Sequence, residues 1–360
     1  MEKMIWAILI LLAIVISVLG YRHYLSITLT SGDKVLASPN FVGNKFVNSV
    51  PNKKYTFKEI VGMIFKKGQK DRKPYNPLPV VKLEKSEFGN PPAEKLQFVW
   101  LGHSSVLLEF EGKRFLFDPV FAERAGPMLS GPKRFHPIPI KVADLQALDS
   151  VIISHDHYDH LDKNVILHLA KQGLSFYVPL GVDRHLIKWG IDKSKILAFD
   201  WWDEAQIGDI KIVSTPARHF SGRILLDKDF TFWCSWVLHG RVSRVYFSGD
   251  SGMFPGFAEI GERYGPFDLS FMKIGAYGEE WPDIHLTPEE AVTAQAHIRG
   301  KLFVPVHWGT FNLAHHSWYE PADRMVEAAA AAKIEIVTPR IGEIVNLSDH
   351  QNSFWWQELK

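Results

Sequence analysis

At 360 residues, with 46% hydrophobic and 22% charged side chains, the chain has an ordinary globular composition and the length to bury a large core. Its formal charge of +1 gives no field to draw nucleic acid, so no nucleic-acid partner is expected. The single cysteine, Cys234, excludes an intramolecular disulfide and a thiolate metal cluster.

The stretch Met4 to Gly20, MIWAILILLAIVISVLG, carries no charge. As a helix it reaches roughly 25 Å, slightly short of a hydrocarbon core of about 30 Å. Trp6 and Tyr21 stand near its ends, where amphipathic rings favour the interface. A single-pass membrane anchor over residues 1–21 is the expectation. The competing readings are a cleaved signal peptide, which would want an A-x-A pattern that Val18-Leu19-Gly20 lacks, and a core helix buried on every side. Lys3 before the span and Arg22 after it leave the side of the membrane open. Residues 22–95 read as a connecting arm, with a basic run (Lys66-Lys67, Lys70, Arg72-Lys73) and prolines at Pro74, Pro77, Pro79 and Pro91-Pro92. Prolines fix φ and break ladders, which predicts extended chain over a surface. The basic run is either a solvated face or a patch for anionic headgroups.

From Leu96 the texture changes, and residues 96–360 are predicted to form one layered α/β domain. LQFVWLGHSSVLLEF and RFLFDPVF, separated by Glu111-Gly112, are apolar strand-like runs. SVIISH, SFYVPL, KILAF, DIKIVST, FTFWCSWVL, SRVYFSGD and LFVPVHWG add further strands, and IEIVTPRIGEIVNL closes the chain. Helices are expected from Lys163 to Lys171, over DRMVEAAAAAK, and over TPEEAVTAQAHIRG, where Thr287 and Glu290 form a capping box.

One segment dominates the chemistry. His155, His157, Asp159 and His160 follow a strand directly in SVIISHDHYDHLD. In extended chain, side chains two apart share a face, so His155 and His157 can reach one metal together. Imidazole and carboxylate suit zinc, with iron or manganese as alternatives. Three later strands each end in a further ligand: His219 after STPAR, Asp250 after RVYFSG, and His307 after LFVPV. An unpaired buried charge costs too much for packing to explain them. The predicted set places His155, His157 and His219 on one cation and Asp159, His160 and His307 on a second, with Asp250 between. Two such cations lower the pKa of a shared water from about 15.7 to about 7, so that it attacks carbon or phosphorus near neutral pH. No serine or cysteine nucleophile is needed, and Cys234 reads as a packed thiol.

The H-x-H-x-D-H pattern with its later ligands resembles the metallo-β-lactamase superfamily. More finely, WLGHSSVLLE, DPVFAERAGP, GPKRF, SGDSG, EIGERYGPFDL, IGAY, HLTPEEAV and HWGTF are similar to the N-acylphosphatidylethanolamine-hydrolysing phospholipase D family, from about Trp100 to Phe311. That resemblance implies an αβ/βα four-layer sandwich, two zinc ions, and often a homodimer. It also implies hydrolysis of N-acylphosphatidylethanolamine to phosphatidic acid and an N-acylethanolamine, with His285 near the reacting phosphate and Asp159 and His285 as the catalytic pair. His103 in LGHSS is a second substrate-side candidate, and Arg134 in GPKRF a further residue of interest. His136, His168, His185, His239 and His297 are read as ordinary histidines, while His315-His316 and Trp318 are either cleft or packing. PARHFSGR after Thr215 and GEEWPD after Tyr277 depart from the family pattern at the expected cleft. The same metals acting on a lactone or another phosphodiester, a non-catalytic sensor, and a di-iron redox protein are the other readings.

Overall fold

The computed structural model describes residues 2–87, 91, 93, 95–127 and 130–360. Helix α1 runs over Glu2–Thr30, nine residues past the predicted limit of the anchor. Nothing between Tyr21 and Thr30 breaks a helix, and the stop comes at Gly32, whose φ of 136° a β-carbon would oppose. Leu25 and Leu29 in the added turns are buried against Phe230. Among the described residues, Trp6–Thr30 is the one segment long and apolar enough to cross a membrane.

The arm is more structured than its prolines suggest. Helix α2 (Asp33–Ala37), strands β1 (Phe41–Val42) and β2 (Lys45–Phe46), and helix α3 (Phe57–Phe65) precede the proline-rich stretch. Thr56 and Glu59 close a capping box at the start of α3, a local signal missed in the sequence reading. The arm does lie on the domain: Arg72 donates to the Ala314 carbonyl at 2.8 Å, and Lys34 pairs with Asp203 at 2.8 Å. Pro92 falls outside the described residues.

The domain begins with β3 (Leu96–Gly102), β4 (Ser105–Phe110), β5 (Lys113–Phe117) and β6 (Ser150–Ile152), then α4 (Lys163–Ala170). Strand β7 (Ser175–Pro179), helix α5 (Val182–Lys188) and strand β8 (Ile196–Phe199) complete the first half. The second half runs β9 (Glu204–Ile207), β10 (Ile210–Thr215), β11 (Ser235–His239), β12 (Arg244–Phe247), α6 (Gly256–Tyr264) and β13 (Phe267–Lys273). It ends with α7 (Pro288–His297), β14 (Gly300–Val306), α8 (Glu320–Ala332), β15 (Glu335–Ile336) and β16 (Ile344–Asn346). The run LQFVWLGHSSVLLEF is a hairpin, because Gly102 and His103 take φ of 99° and 52° and turn the chain.

Two seven-stranded sheets result, ordered β16-β3-β4-β5-β6-β7-β8 and β15-β14-β13-β12-β11-β10-β9. The closing strands divide between them, each taking an edge. Along β3 the side chains alternate: Phe98 and Trp100 enter the core between the sheets, while Val99 and Leu101 face a second core under α4 and α5. Phe98 meets Phe271 edge-on at 5.0 Å and Phe117 stacks on Phe247 at 4.7 Å, joining the sheets face to face. Helices α7 and α8 cover the other sheet, which makes the expected αβ/βα sandwich.

The C-terminal residues close the core beside the β14 loop. Trp356 is fully buried, donates to Asp323 at 2.9 Å and meets Trp308 edge-on at 5.2 Å. Trp356→Ala is expected to cost about 3–5 kcal/mol of stability, typical of a truncated buried Trp. Thermal unfolding in detergent checks it, and an unchanged midpoint would refute the anchoring role.

Candidate metal centre

The candidate ligands sit where apolar strands run out. The segment 153–162 leaves β6, His219 follows β10, Asp250 follows β12, His307 follows β14, and His285 leads into α7. Gly249 has a φ of 53°, and a β-carbon there would lie 2.7 Å from Ser154 and 2.8 Å from the Cys234 carbonyl, so only glycine lets Asp250 turn into the centre. His307 itself adopts a left-handed φ of 64°.

All seven predicted ligands converge. His155 Nε2 lies 2.9 Å from His157 Nδ1, and His219 Nε2 3.3 Å from that same atom. On the other side, Asp159 Oδ2 is 3.7 Å from His160 Nε2 and 3.5 Å from His307 Nε2. Asp250 lies between, with Oδ1 3.4 Å from His160 Nε2 and Oδ2 3.1 Å from His307 Nε2 and 3.7 Å from His219 Nε2. Four groups of potential ligands lie close enough to share a cation: His155, His157 and His219; His103, Asp159, His160 and His307; His155, His160 and Asp250; and His219, Asp250 and His285.

The donor chemistry fits divalent cations. His160 Nε2, Asp250 Oδ1, His285 Nδ1 and His307 Nε2 are buried and make no hydrogen bond, an expensive arrangement unless another partner takes the lone pairs. Two of the outer nitrogens are meanwhile committed. His160 Nδ1 donates to Asp118 at 2.7 Å and His219 Nδ1 to the Ile284 carbonyl at 2.9 Å, which turns both Nε2 lone pairs inward. Burial pushes His219 down to about 3. Burial would raise the Asp250 carboxyl, but His307 and His160 hold it well below the usual carboxylate range. Neutral imidazoles and ionised carboxylates are the protonation states that metals require. Burial would also lower His160, yet Asp250, Asp159 and Asp118 lift it well above its ordinary value. Their combined negative charge therefore favours a cation in the centre.

The two substrate-side candidates part company. His285 lines a cavity of about 390 Å³ over the centre, with Tyr158, Phe220, Trp281, Ile284 and Leu313 as its apolar wall. Its Nδ1 lies 3.7 Å from Asp250. His103 sits behind Asp159, bonded to its Oδ2 at 2.9 Å, and is not among the residues that line the cavity. Burial and His307 push His103 down to about 3. Arg134 is a structural residue: it donates to the carbonyls of Val120 and Ala122, and its guanidinium lies 4.8 Å from the Phe311 ring. His316 accepts from Ala276 N at 3.0 Å and stacks on Tyr277, and Trp318 is buried. Lys66 of the basic run pairs with Glu280, so it is not free for headgroups. Cys234 is buried, with burial raising its thiol well above the ordinary value.

Several supporting residues escaped the sequence reading. Asp118 accepts from both Ser154 N–H and Ser154 Oγ as well as His160. It ends the run RFLFD, the same signal that exposed Asp250, and could have been found that way. Asp156 is fully engaged, accepting from Gly222 N, Thr231 Oγ1 and His185 Nε2, so His185 is part of the frame rather than an ordinary histidine. Asn48 comes from the arm, 171 residues away: Nδ2 donates to the His219 carbonyl at 2.8 Å and Oδ1 accepts from His219 N at 3.0 Å. No sequence signal marks it. The two departures from the family pattern are also physically coupled, because Arg218 of PARHF pairs with Asp283 of GEEWPD at 2.8 Å.

Residues 113–308 match the beta-lactamase superfamily domain. An uncharacterised protein of Mycobacterium tuberculosis is 41% identical over 327 residues, 89% of this chain and 88% of that protein. N-acyl-phosphatidylethanolamine-hydrolyzing phospholipase D 1 of Caenorhabditis elegans is 36% identical over 69% of this chain and 75% of its own length. Among solved structures, the isothiocyanate hydrolase from Delia radicum gut bacteria shares the fold, with a TM-score of 0.55 at 23% identity over 69% of this chain and 98% of its own. The chain belongs to the metallo-β-lactamase superfamily and is a metal-dependent hydrolase. Within that superfamily it resembles the phospholipases D that hydrolyse N-acylphosphatidylethanolamine.

Asn48 supplies a test of the frame around His219. Asn48→Ala is expected to weaken metal binding about 10–100-fold, as loss of outer hydrogen bonds to ligands does elsewhere. Competition with a chromophoric chelator measures this, and an unchanged affinity would reduce Asn48 to packing.

Proposed function

We propose that the chain is a binuclear zinc phosphodiesterase that cleaves N-acylphosphatidylethanolamine to phosphatidic acid and an N-acylethanolamine. The observation that carries this reading is the position of the centre: His157, Asp159, Asp250 and His307 of the cluster line an apolar-walled cavity, in a chain similar to a lipid-cleaving phospholipase D. His155, His157 and His219 would hold one zinc, Asp159, His160 and His307 the other, and Asp250 both, as their groupings allow. When bound, the pair supplies positive charge opposite the phosphate oxygens and acidifies the attacking water.

The chain's own residues do the rest. His285 presents an uncommitted nitrogen at the cavity wall, where it would orient the phosphate. His103, bonded behind Asp159, would hold that carboxylate toward its metal. Phe220 and Ile284 divide the cavity from a second one of about 570 Å³, lined by Phe46, Tyr55 and Trp233, which offers room for an acyl chain. Helix α1, exposed along nearly its whole apolar length, would anchor the chain in the membrane that contains the substrate.

The test uses the full chain in detergent beside Asp250→Ala. The parent is expected to carry two zinc ions and to release N-acylethanolamine and phosphatidic acid, measured by elemental analysis and mass spectrometry. The variant should lose both metal and turnover. Metal without lipid cleavage would discard the substrate and retain the hydrolase, directing the search to lactones and other phosphodiesters.

A further inference from the structure

The end of α1 meets the domain at a level set by membrane thickness. Starting from Met4, a core of about 30 Å takes about 20 helical residues, which brings its second boundary near His23. At that level Leu19, Arg22, His23 and Ser26 share a cleft of about 280 Å³ with Gly43, Asn44 and Lys45 of the β1–β2 turn. Arg22 also donates to the Leu226 carbonyl at 2.8 Å, and its guanidinium lies 5.1 Å from the Phe230 ring. The β1–β2 turn and the loop 222–229 therefore flank the helix at the height of the lipid headgroups.

Both segments display apolar side chains outward. Leu225 is 97% exposed, Ile224 41% and Val42 58%, whereas Leu226 and Phe230 turn inward against Leu25 and Leu29. The loop is held in shape, since the buried Asp227 carboxylate accepts from the N–H groups of Arg223 at 3.0 Å and Ile224 at 2.9 Å. Phe46 N donates to the Asp229 carbonyl at 2.9 Å and ties the turn to the loop. Lys45 shares the cleft with Arg22 and is paired with Asp229 at 3.6 Å, which leaves exposed Lys228 to bring unpaired positive charge to the loop. An isolated exposed leucine needs no explanation. Apolar tips among basic residues, level with the exit of an apolar helix, match an anionic lipid surface.

We propose that the loop 222–229 and the β1–β2 turn form a second membrane contact, which inserts Leu225 and Ile224 into an anionic phospholipid leaflet. The proposal rests on the reading of α1 as an anchor. Its consequence is orientation. Arg223 Nη1 donates to the carbonyls of Asp156 and Leu161, and Gly222 N to the Asp156 carboxylate, so the loop is fixed to the segment that bears His155, His157 and His160. Gly222, Phe220 and Tyr158 also line the cavity over the centre. A leaflet gripping this loop would bring the cavity close to the lipid surface.

The full chain in phosphatidylcholine–phosphatidylserine vesicles tests this, with an environment-sensitive fluorophore on one introduced cysteine at a time and buried Cys234 left in place. Ile10→Cys reports the anchor and Leu225→Cys the loop. Val242→Cys, 84% exposed at the turn between β11 and β12, reports water at the far end of the sheet from Asp250. Labels at 10 and 225 are expected to be quenched several-fold more by lipid-borne nitroxide than the label at 242, which aqueous iodide should quench instead. A label at 225 as accessible to iodide as that at 242, with 10 still in lipid, overturns the second contact and leaves the anchor standing. Iodide quenching at position 10 overturns both.

Discussion

Three carboxylates, buried Asp118 and Asp250 and half-buried Asp159, stand within one cluster of imidazoles, and the organisation of the domain follows from that placement. Uncompensated, such charges would drive the chain apart or take up protons. Here each is compensated by histidine, and His160 stands among all three. The three carboxylates raise its proton affinity well above the ordinary value, so the site favours positive charge. Divalent cations supply that charge, so metal binding and stability of the sheet edges are linked.

The sandwich makes such a cluster possible because both sheets end their strands at one edge. Loops after β6, β10, β12 and β14 meet there. The frame around them is polar: Asp118 positions His160, Asp156 fastens the 222–229 loop, and the Ile284 carbonyl orients His219. Tolerance for change is therefore smaller behind the ligands than in the apolar cavity wall, where shape can vary with substrate.

The arm belongs to this machinery rather than merely joining helix to domain. Asn48 clamps both backbone groups of His219, and Pro51 and Asp283 hold Arg218 next to it. Lys53 N donates to Asp283 at 2.6 Å, so the arm and the segment before α7 are joined across the second cavity. Family members with other residues at 218 and 278–283 would shape that region differently, which makes it a place where substrate choice can diverge on an unchanged metal site.

What the sequence determined alone was local: the apolar run of α1, the alternation along the strands, the Thr287–Glu290 cap, and candidate ligands such as Asp250 and His307 that end apolar strands. These are legible because burial has a period and because a lone charge after an apolar run is costly unless it is used. The hairpin at Gly102-His103 was lost inside an apolar run, since a left-handed histidine has no signature in composition. Tertiary structure decided the rest. Asn48 and His219, Arg22 and Leu226, and His103 and Asp159 are joined by distances in space that no spacing in sequence encodes. Directional hydrogen bonds between remote segments form only after the two sheets have packed, and so does the placement of His103 behind Asp159 rather than in the cavity wall.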